Sequence, residues 1–183
     1  MSLKIENQST ITLPKKTDEA LEKILKSVPI EHMRGLEKLR LVDFINEPRL
    51  KNMNIPLKSD IPGLYHPRMG NQAAWMEIST GALLKPTESY FNRIMPRMAF
   101  KSNMAGLIFS LVGQHYYLTL RHSVKKNALE QQVRQYAEKQ LRSWSDKQAE
   151  NSWRGRLFKP FRPLLERWAR WLNKKAAKAN KGK

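Results

Sequence analysis

The sequence predicts an α+β domain with a short sheet, a buried central helix and a second long helix, followed by a basic C-terminal helix. Three observations lead there. Two stretches, Leu36 to Ile45 and Ala73 to Ser79, have the composition of strands and flank a proline-punctuated segment. From Thr87 onward the apolar residues recur at helical spacing, and Ala105 to Leu120 is apolar on most sides, as a helix enclosed in a core requires. At residue 151 the composition changes abruptly to cations and aromatics. A chain of 183 residues suits one compact domain with appendages, here divided as a flexible N-terminus 1–16, a domain 17–150 and a tail 151–183.

Each element has a local reason. Thr17-Asp18-Glu19 offers a cap and an acidic first turn, after which Leu21, Ile24, Leu25 and Val28 form one helical stripe ending at Pro29. Leu36 to Ile45 follows Gly35 and reads as a strand on a half-covered sheet. Pro48, Pro56, Pro62 and Pro67 make the next twenty residues irregular, with Leu57 to Tyr65 the candidate for a short third strand beside Ala73 to Ser79. Tyr90, Phe91 and Ile94 give a brief helical face that Pro96 is expected to end. After the central helix, Leu129, Val133, Tyr136, Ala137, Leu141 and Trp144 stripe one side of a second long helix.

Charge narrows the function classes. The chain has 34 Lys plus Arg against 16 Asp plus Glu, a formal net charge of +18, which favours polyanionic partners. Residues 151–183 hold 11 of those cations and one acid, Glu166, so more than half of the net charge sits in the last fifth of the chain. With no Cys, neither disulfides nor thiolate metal sites are available. Met1 to Lys16 has no apolar signal region, and the longest apolar run, Met104 to Gly113, is too short to span a bilayer. A cytoplasmic or nucleoid-associated location is the expectation.

Several motifs share an order along the chain. Gly106 to Tyr117 resembles a metallopeptidase "HExxHH" helix, with Ser110, Leu111 and Gln114 where His, Glu and His would stand. Val28-Pro29-Ile30-Glu31-His32-Met33-Arg34-Gly35-Leu36 is similar to a "P-x-E-H-L-R-G-L" lead-in to the first strand, and Pro62-Gly63-Leu64-Tyr65 to a "G-x-Y" turn. Glu130 to Ala137 resembles the "E-x-x-A-x-x-Y-A" helix whose Glu is the third zinc ligand. Together, over residues 17 to 145, they resemble small zincin-like metallopeptidases with a degenerate site. That chemistry needs two His at i and i+4 to reach one metal from one helical face, and a neighbouring Glu as general base. Ser110 and Gln114 are poor zinc ligands, and Leu111 moves no proton. The resemblance therefore implies a pseudoenzyme with no catalytic residue, no metal and no cofactor, in which Glu130 alone of the metal and base groups persists and accepts hydrogen bonds from Ser110 and Gln114.

Plainer readings stand beside it. An apolar helix ending in His115-Tyr116-Tyr117 is a core helix first, and Glu130 on a charged helix is ordinarily a solvated carboxylate. His32, His66, His115 and His122 are scattered. Ser110 and His115 lie five residues apart and do not share a helical face, which argues against a Ser/His/Glu130 nucleophilic site.

In the tail, Pro163 is placed to start a helix running to about Ala179. Leu164, Leu165, Trp168, Trp171 and Leu172 cluster on one arc as an apolar docking face. Arg154, Arg156, Lys159, Arg162, Arg167, Arg170, Lys174, Lys175 and Lys178 are the candidate phosphate contacts. Arg93, Arg97, Lys101, Arg121, Lys125 and Lys126 extend the basic character around the central helices, which suits an extended polyanion. The expected partner is nucleic acid, DNA or RNA without a base-reading motif to choose between them, or a nucleoprotein complex. The alternatives are an anionic membrane surface or a partner protein's groove, met by the same amphipathic helix.

Overall fold

The computed structural model describes residues 3–46, 61–84, 90–120 and 126–151. Strands β1 (Lys4–Asn7), β2 (Leu36–Val42), β3 (Gly63–His66) and β4 (Ala74–Ser79) form one sheet in the order β1-β2-β4-β3. The first, second and fourth run parallel, and β3 lies antiparallel to β4 at one edge. The helices are α1 (Thr17–Ser27), a 3-10 turn (Ile30–Met33), the short α2 (Thr80–Leu83), α3 (Tyr90–His115) with a π-helical turn (Tyr116–Leu120) continuing it, and α4 (Lys126–Asn151). The protein is thus mixed α+β. Two compact units are distinguished, Met1–Arg142 and Ser143–Lys183; the described part of the second is the end of α4, Ser143–Asn151.

Strand alternation decides which sheet face is covered. Leu39, Leu41, Met76, Ile78 and Tyr65 are buried on one face, and α3 packs on β3 and on α1. A register shift between Leu36 and Lys38 lets Leu36 and Leu39, three apart, both end buried. The opposite face carries Glu6, Lys38, Arg40, His66, Trp75 and Glu77. There His66 stacks on Trp75 with ring centroids 3.8 Å apart, and the Arg40 guanidinium lies 4.7 Å from the Trp75 ring. The core itself is closed by Leu21, Ile24, Phe100, Met104, Ile108, Phe109 and Val112, all at most 1% exposed, so the helix segment expected at the centre of the domain is there.

Four expectations need correction. The N-terminus is not a flexible arm, because Lys4–Asn7 pairs with β2 and Asp43 fastens the chain that follows. Its carboxylate accepts hydrogen bonds from Ser9 Oγ at 2.6 Å, Thr10 N at 2.8 Å and Ile11 N at 3.2 Å. These bonds, the Ser9 hydroxyl foremost, hold the Asp43 carboxyl below the usual carboxylate range. Thr17 does not cap α1 either: it is buried and donates to the Pro14 carbonyl at 2.6 Å, while Lys16, at φ 63°, takes the flanking position. The strand expected over Leu36 to Ile45, β2, stops at Val42, three residues before Ile45, where Asp43 turns its polar groups to neighbouring loops. Finally, α3 runs unbroken through position 96. A proline near a helix start removes only one intrahelical bond, which burial along the rest of α3 outweighs.

Most of the proline-rich connection, 47–60, and the whole tail from Ser152, with its predicted helix, apolar face and phosphate contacts, lie outside the described residues. Among the described residues, no helix is long and apolar enough to cross a membrane.

Candidate functional site

Ser110, Gln114 and Glu130, the side chains singled out in the sequence, sit on two neighbouring helices. Close approach is made by glycine: a Cβ on Gly113 would stand 2.9 Å from Tyr136 Cδ1, and one on Gly106 would stand 3.7 Å from Leu141 Cδ2. Gly113 facing Tyr136 and Gly106 facing Leu141 show that α3 and α4 run antiparallel. Between them lies a groove of about 690 Å³. One wall is the row Gly106, Ser110, Gln114 and Leu118; the other is Leu129, Val133, Ala137 and Leu141, with Glu130, Arg134 and Glu138 beside it.

The structure therefore brings Ser110, Gln114 and Glu130 to one groove and sends Leu111 elsewhere. Leu111 is 2% exposed and belongs to the core. Glu130 is exposed, and among the described residues it accepts no hydrogen bond from Ser110 or Gln114, contrary to the expectation of a closed polar trio. Arg134 is engaged with Glu138 at 3.3 Å. A larger cleft of about 970 Å³ beside β1 and α1 is mostly apolar, its Glu22 and Lys26 pair with each other, and neither Ser110, Gln114 nor Glu130 lines it.

Zinc would require three donors from His, Cys, Asp or Glu. Among the described residues no three such side chains come together. Ser110, Gln114 and Glu130 offer a hydroxyl, an amide and one carboxylate, a set that does not fit a zinc ion.

Two polar clusters next to the groove were not foreseen as working units. His115 is fully buried, and its Nε2 donates to the Arg34 carbonyl at 2.9 Å. In the neutral ring Nδ1 then accepts from the Tyr65 hydroxyl at 2.9 Å, whose oxygen accepts from Thr119 Oγ1 at 3.1 Å. Burial pushes the His115 pKa down, partly offset by the bond to Arg34, and pushes the Tyr65 phenol up. Gly35, at φ 92°, makes the turn that aims the Arg34 carbonyl at the ring.

The second cluster gathers His32, Tyr116 and Tyr136. His32 Nδ1 and the Tyr136 hydroxyl are 2.8 Å apart, and the His32 and Tyr116 rings lie 4.2 Å between centroids. Burial lowers the His32 pKa and raises that of Tyr136. Both clusters are built from residues of the sequence motifs, with His32 and Arg34 before β2, Tyr65 in β3, His115 ending α3 and Tyr136 in α4. They clamp the start of β2, the sheet edge and the two long helices together. His115 is thereby a structural group with both ring nitrogens committed, and it does not approach Ser110 as a base.

Arg97 and Lys101 are exposed on α3. Arg121, His122 and Lys125 lie outside the described residues, as do all the tail positions. No protein-family model, curated protein or solved structure matches the chain.

Proposed function

We propose that this protein is a non-catalytic accessory or assembly protein associated with nucleic acid, built on a degenerate zincin-like domain whose metal chemistry has been replaced by binding. The observation that carries the reading is that Ser110, Gln114 and Glu130 line one groove between α3 and α4 while Leu111 lies in the core, so that the groove offers a hydroxyl, an amide and a carboxylate where the resemblance would place two His and a Glu ligand. The layout around it supports the same reading: three parallel strands, an antiparallel strand at one edge and a buried helix precede a helix bearing the acid. The nucleic-acid half rests on charge. A net charge of +18, most of it within residues 151–183, supplies the counterion-releasing contacts on which sequence-independent binding depends.

The test combines elemental analysis with binding. The purified full chain is expected to carry no stoichiometric zinc, to hydrolyse no peptide bond, and to bind DNA or RNA more strongly than anionic liposomes at matched ionic strength. Deletion of 151–183 should leave the thermal transition of the remaining domain intact and remove most of the nucleic-acid affinity. Stoichiometric zinc that is removed by chelation together with a peptidase activity would overturn the reading. So would liposome association with a blue shift in Trp fluorescence and nucleic-acid binding indifferent to the deletion, which would favour a membrane-surface role.

A further inference from the structure

β1 stands at one end of the sheet order, and among the described residues no strand pairs with its outer side. The ladder to β2 fixes where its backbone groups point. Gln8 N donates to the Leu41 carbonyl at 2.9 Å, and in a parallel ladder alternate residues turn both backbone groups to the partner. Lys4, Glu6 and Gln8 therefore face β2, and the amide and carbonyl of Ile5 point away from it. Lys4, Asn7 and Gln8 are exposed, so this edge reaches solvent. An open edge is a template for a further strand.

The side chains choose which strand. A lysine often guards such an edge, but here Lys4 is followed two residues later, on the same face, by Glu6, whose carboxylate it meets at 3.0 Å. When a second copy of β1 lies antiparallel with Ile5 on a twofold axis, Lys4 of each copy stands opposite Glu6 of the other. Ile5 then faces Ile5 as a pair that exchanges both backbone hydrogen bonds, which is what its outward amide and carbonyl require. Lys4 and Glu6 fall on the neighbouring pairs without backbone bonds, where side chains come closest. Moving the axis to Lys4 or to Glu6 would oppose like charges, so charge selects this register. Within one chain Lys4 is also the ladder neighbour of Lys38, and a carboxylate brought to its other side offsets that repulsion.

The opposite face adds apolar contact. Beside β1 lies the cleft of about 970 Å³, whose lining includes Leu3, Ile5, Leu25, Val28, Ile30 and Leu36, and Ile30 is 80% exposed. With Ile5 on the axis the clefts of the two copies adjoin, and pairing removes apolar surface from water on both.

We infer that this chain forms a homodimer through β1, its two sheets joined edge to edge about a twofold axis at Ile5. The inference is independent of the metal and nucleic-acid readings, since β1 lies in neither the groove nor the tail.

The expected affinity is modest, because the ladder is four residues long and a net charge of +18 on each copy opposes association. Sedimentation equilibrium of the full chain, freed of nucleic acid and held at about 0.3 M salt to screen that repulsion, should show monomer and dimer with a Kd on the order of 10 µM. Lys4→Glu should weaken the dimer by roughly tenfold although it lowers the net charge, because like charges then meet at both pairs. Ile5→Pro deletes an amide that the β2 ladder does not use, at an edge position where proline is tolerated, and should give a folded monomer. The chain has no Cys, so one substitution introduces the sole thiol. Ile5→Cys sets two thiols across the axis with Cα atoms about 5.5 Å apart, within disulfide reach, and diamide should couple them into a covalent dimer. Asn7→Cys is exposed but opposite Leu3 in this register, and should stay monomeric under the same treatment. Monomer alone at every concentration up to about 0.5 mM, a dimer indifferent to Ile5→Pro, or Asn7→Cys coupling as fast as Ile5→Cys would each overturn the inference. Circular dichroism melts show whether the variants fold; should Ile5→Pro fail to, Lys4→Glu and the two thiol variants decide.

Discussion

Removing the His115 side chain should be among the most damaging single changes outside the hydrophobic core. In His115→Ala the Arg34 carbonyl loses its donor and the Tyr65 hydroxyl loses its acceptor, inside a region where His115 is fully buried. An orphaned buried polar group costs about 1 to 3 kcal/mol, and an unfilled cavity the size of an aromatic ring brings the sum to about 3 to 5 kcal/mol. For a domain of this size each kcal/mol lowers Tm by roughly 2 to 4 °C, so a drop of about 10 °C is expected. His115→Gln keeps a donor and an acceptor near the same places and should lose about half as much. The pair also differs in pH dependence. His32 and His115 both have pKa values held below 6.5 by burial, so the unfolded chain takes up their protons first. Stability is therefore complete above about pH 6.5 and falls as the pH drops through the depressed folded values, by at most about 1.4 kcal/mol per pH unit for each proton. Urea unfolding followed by circular dichroism between pH 8 and 5 should show a weaker decline for His115→Gln than for wild type. If the two decline in parallel, or if His115→Ala melts within a degree of wild type, the buried network does not hold the molecule as argued.

Leu111→Ala should destabilise by about 2 to 5 kcal/mol, because the side chain is enclosed, and Leu111→Glu should be worse at pH 8 but recover part of the difference toward pH 5 as the buried carboxyl protonates; thermal melts at the two pH values check both. Asp43→Ala should release the chain after β1 and raise amide hydrogen exchange at Lys4–Asn7, while protection within α3 stays as it was. In the tail, replacing Arg167, Arg170, Lys174 and Lys178 by Gln should lower the slope of log K against log salt by about 0.9 for each duplex phosphate that is no longer neutralised. An unchanged slope in filter-binding titrations would place the phosphate-binding cations elsewhere.

Local pattern was enough for several parts of the fold. The sequence of Ala105 to Leu120 determines a core helix, since a run apolar on nearly every side has no stable place outside one, and the burial of Ile108, Phe109 and Val112 follows. Alternation and β-branching likewise located β2 and β4 to within a few residues. The strand at Lys4–Asn7 was not legible. Four residues with two charges carry no strand signal of their own, and they are held by a ladder to β2 and by Asp43, more than thirty positions away. Pro96 misled for a related reason: propensity is a local term, and the packing of the whole of α3 overrides it. At the candidate site, the motif spacing singled out Ser110, Gln114 and Glu130, but it could not say that the two helices would leave an open furrow instead of a closed set of hydrogen bonds. That depends on where Gly106 and Gly113 let α4 approach. His32, Tyr65, His115 and Tyr136 stood in the motifs with no work assigned, because each finds its partner from 50 to 104 residues away, and only the tertiary fold decides which polar groups share a dry interior and must satisfy one another.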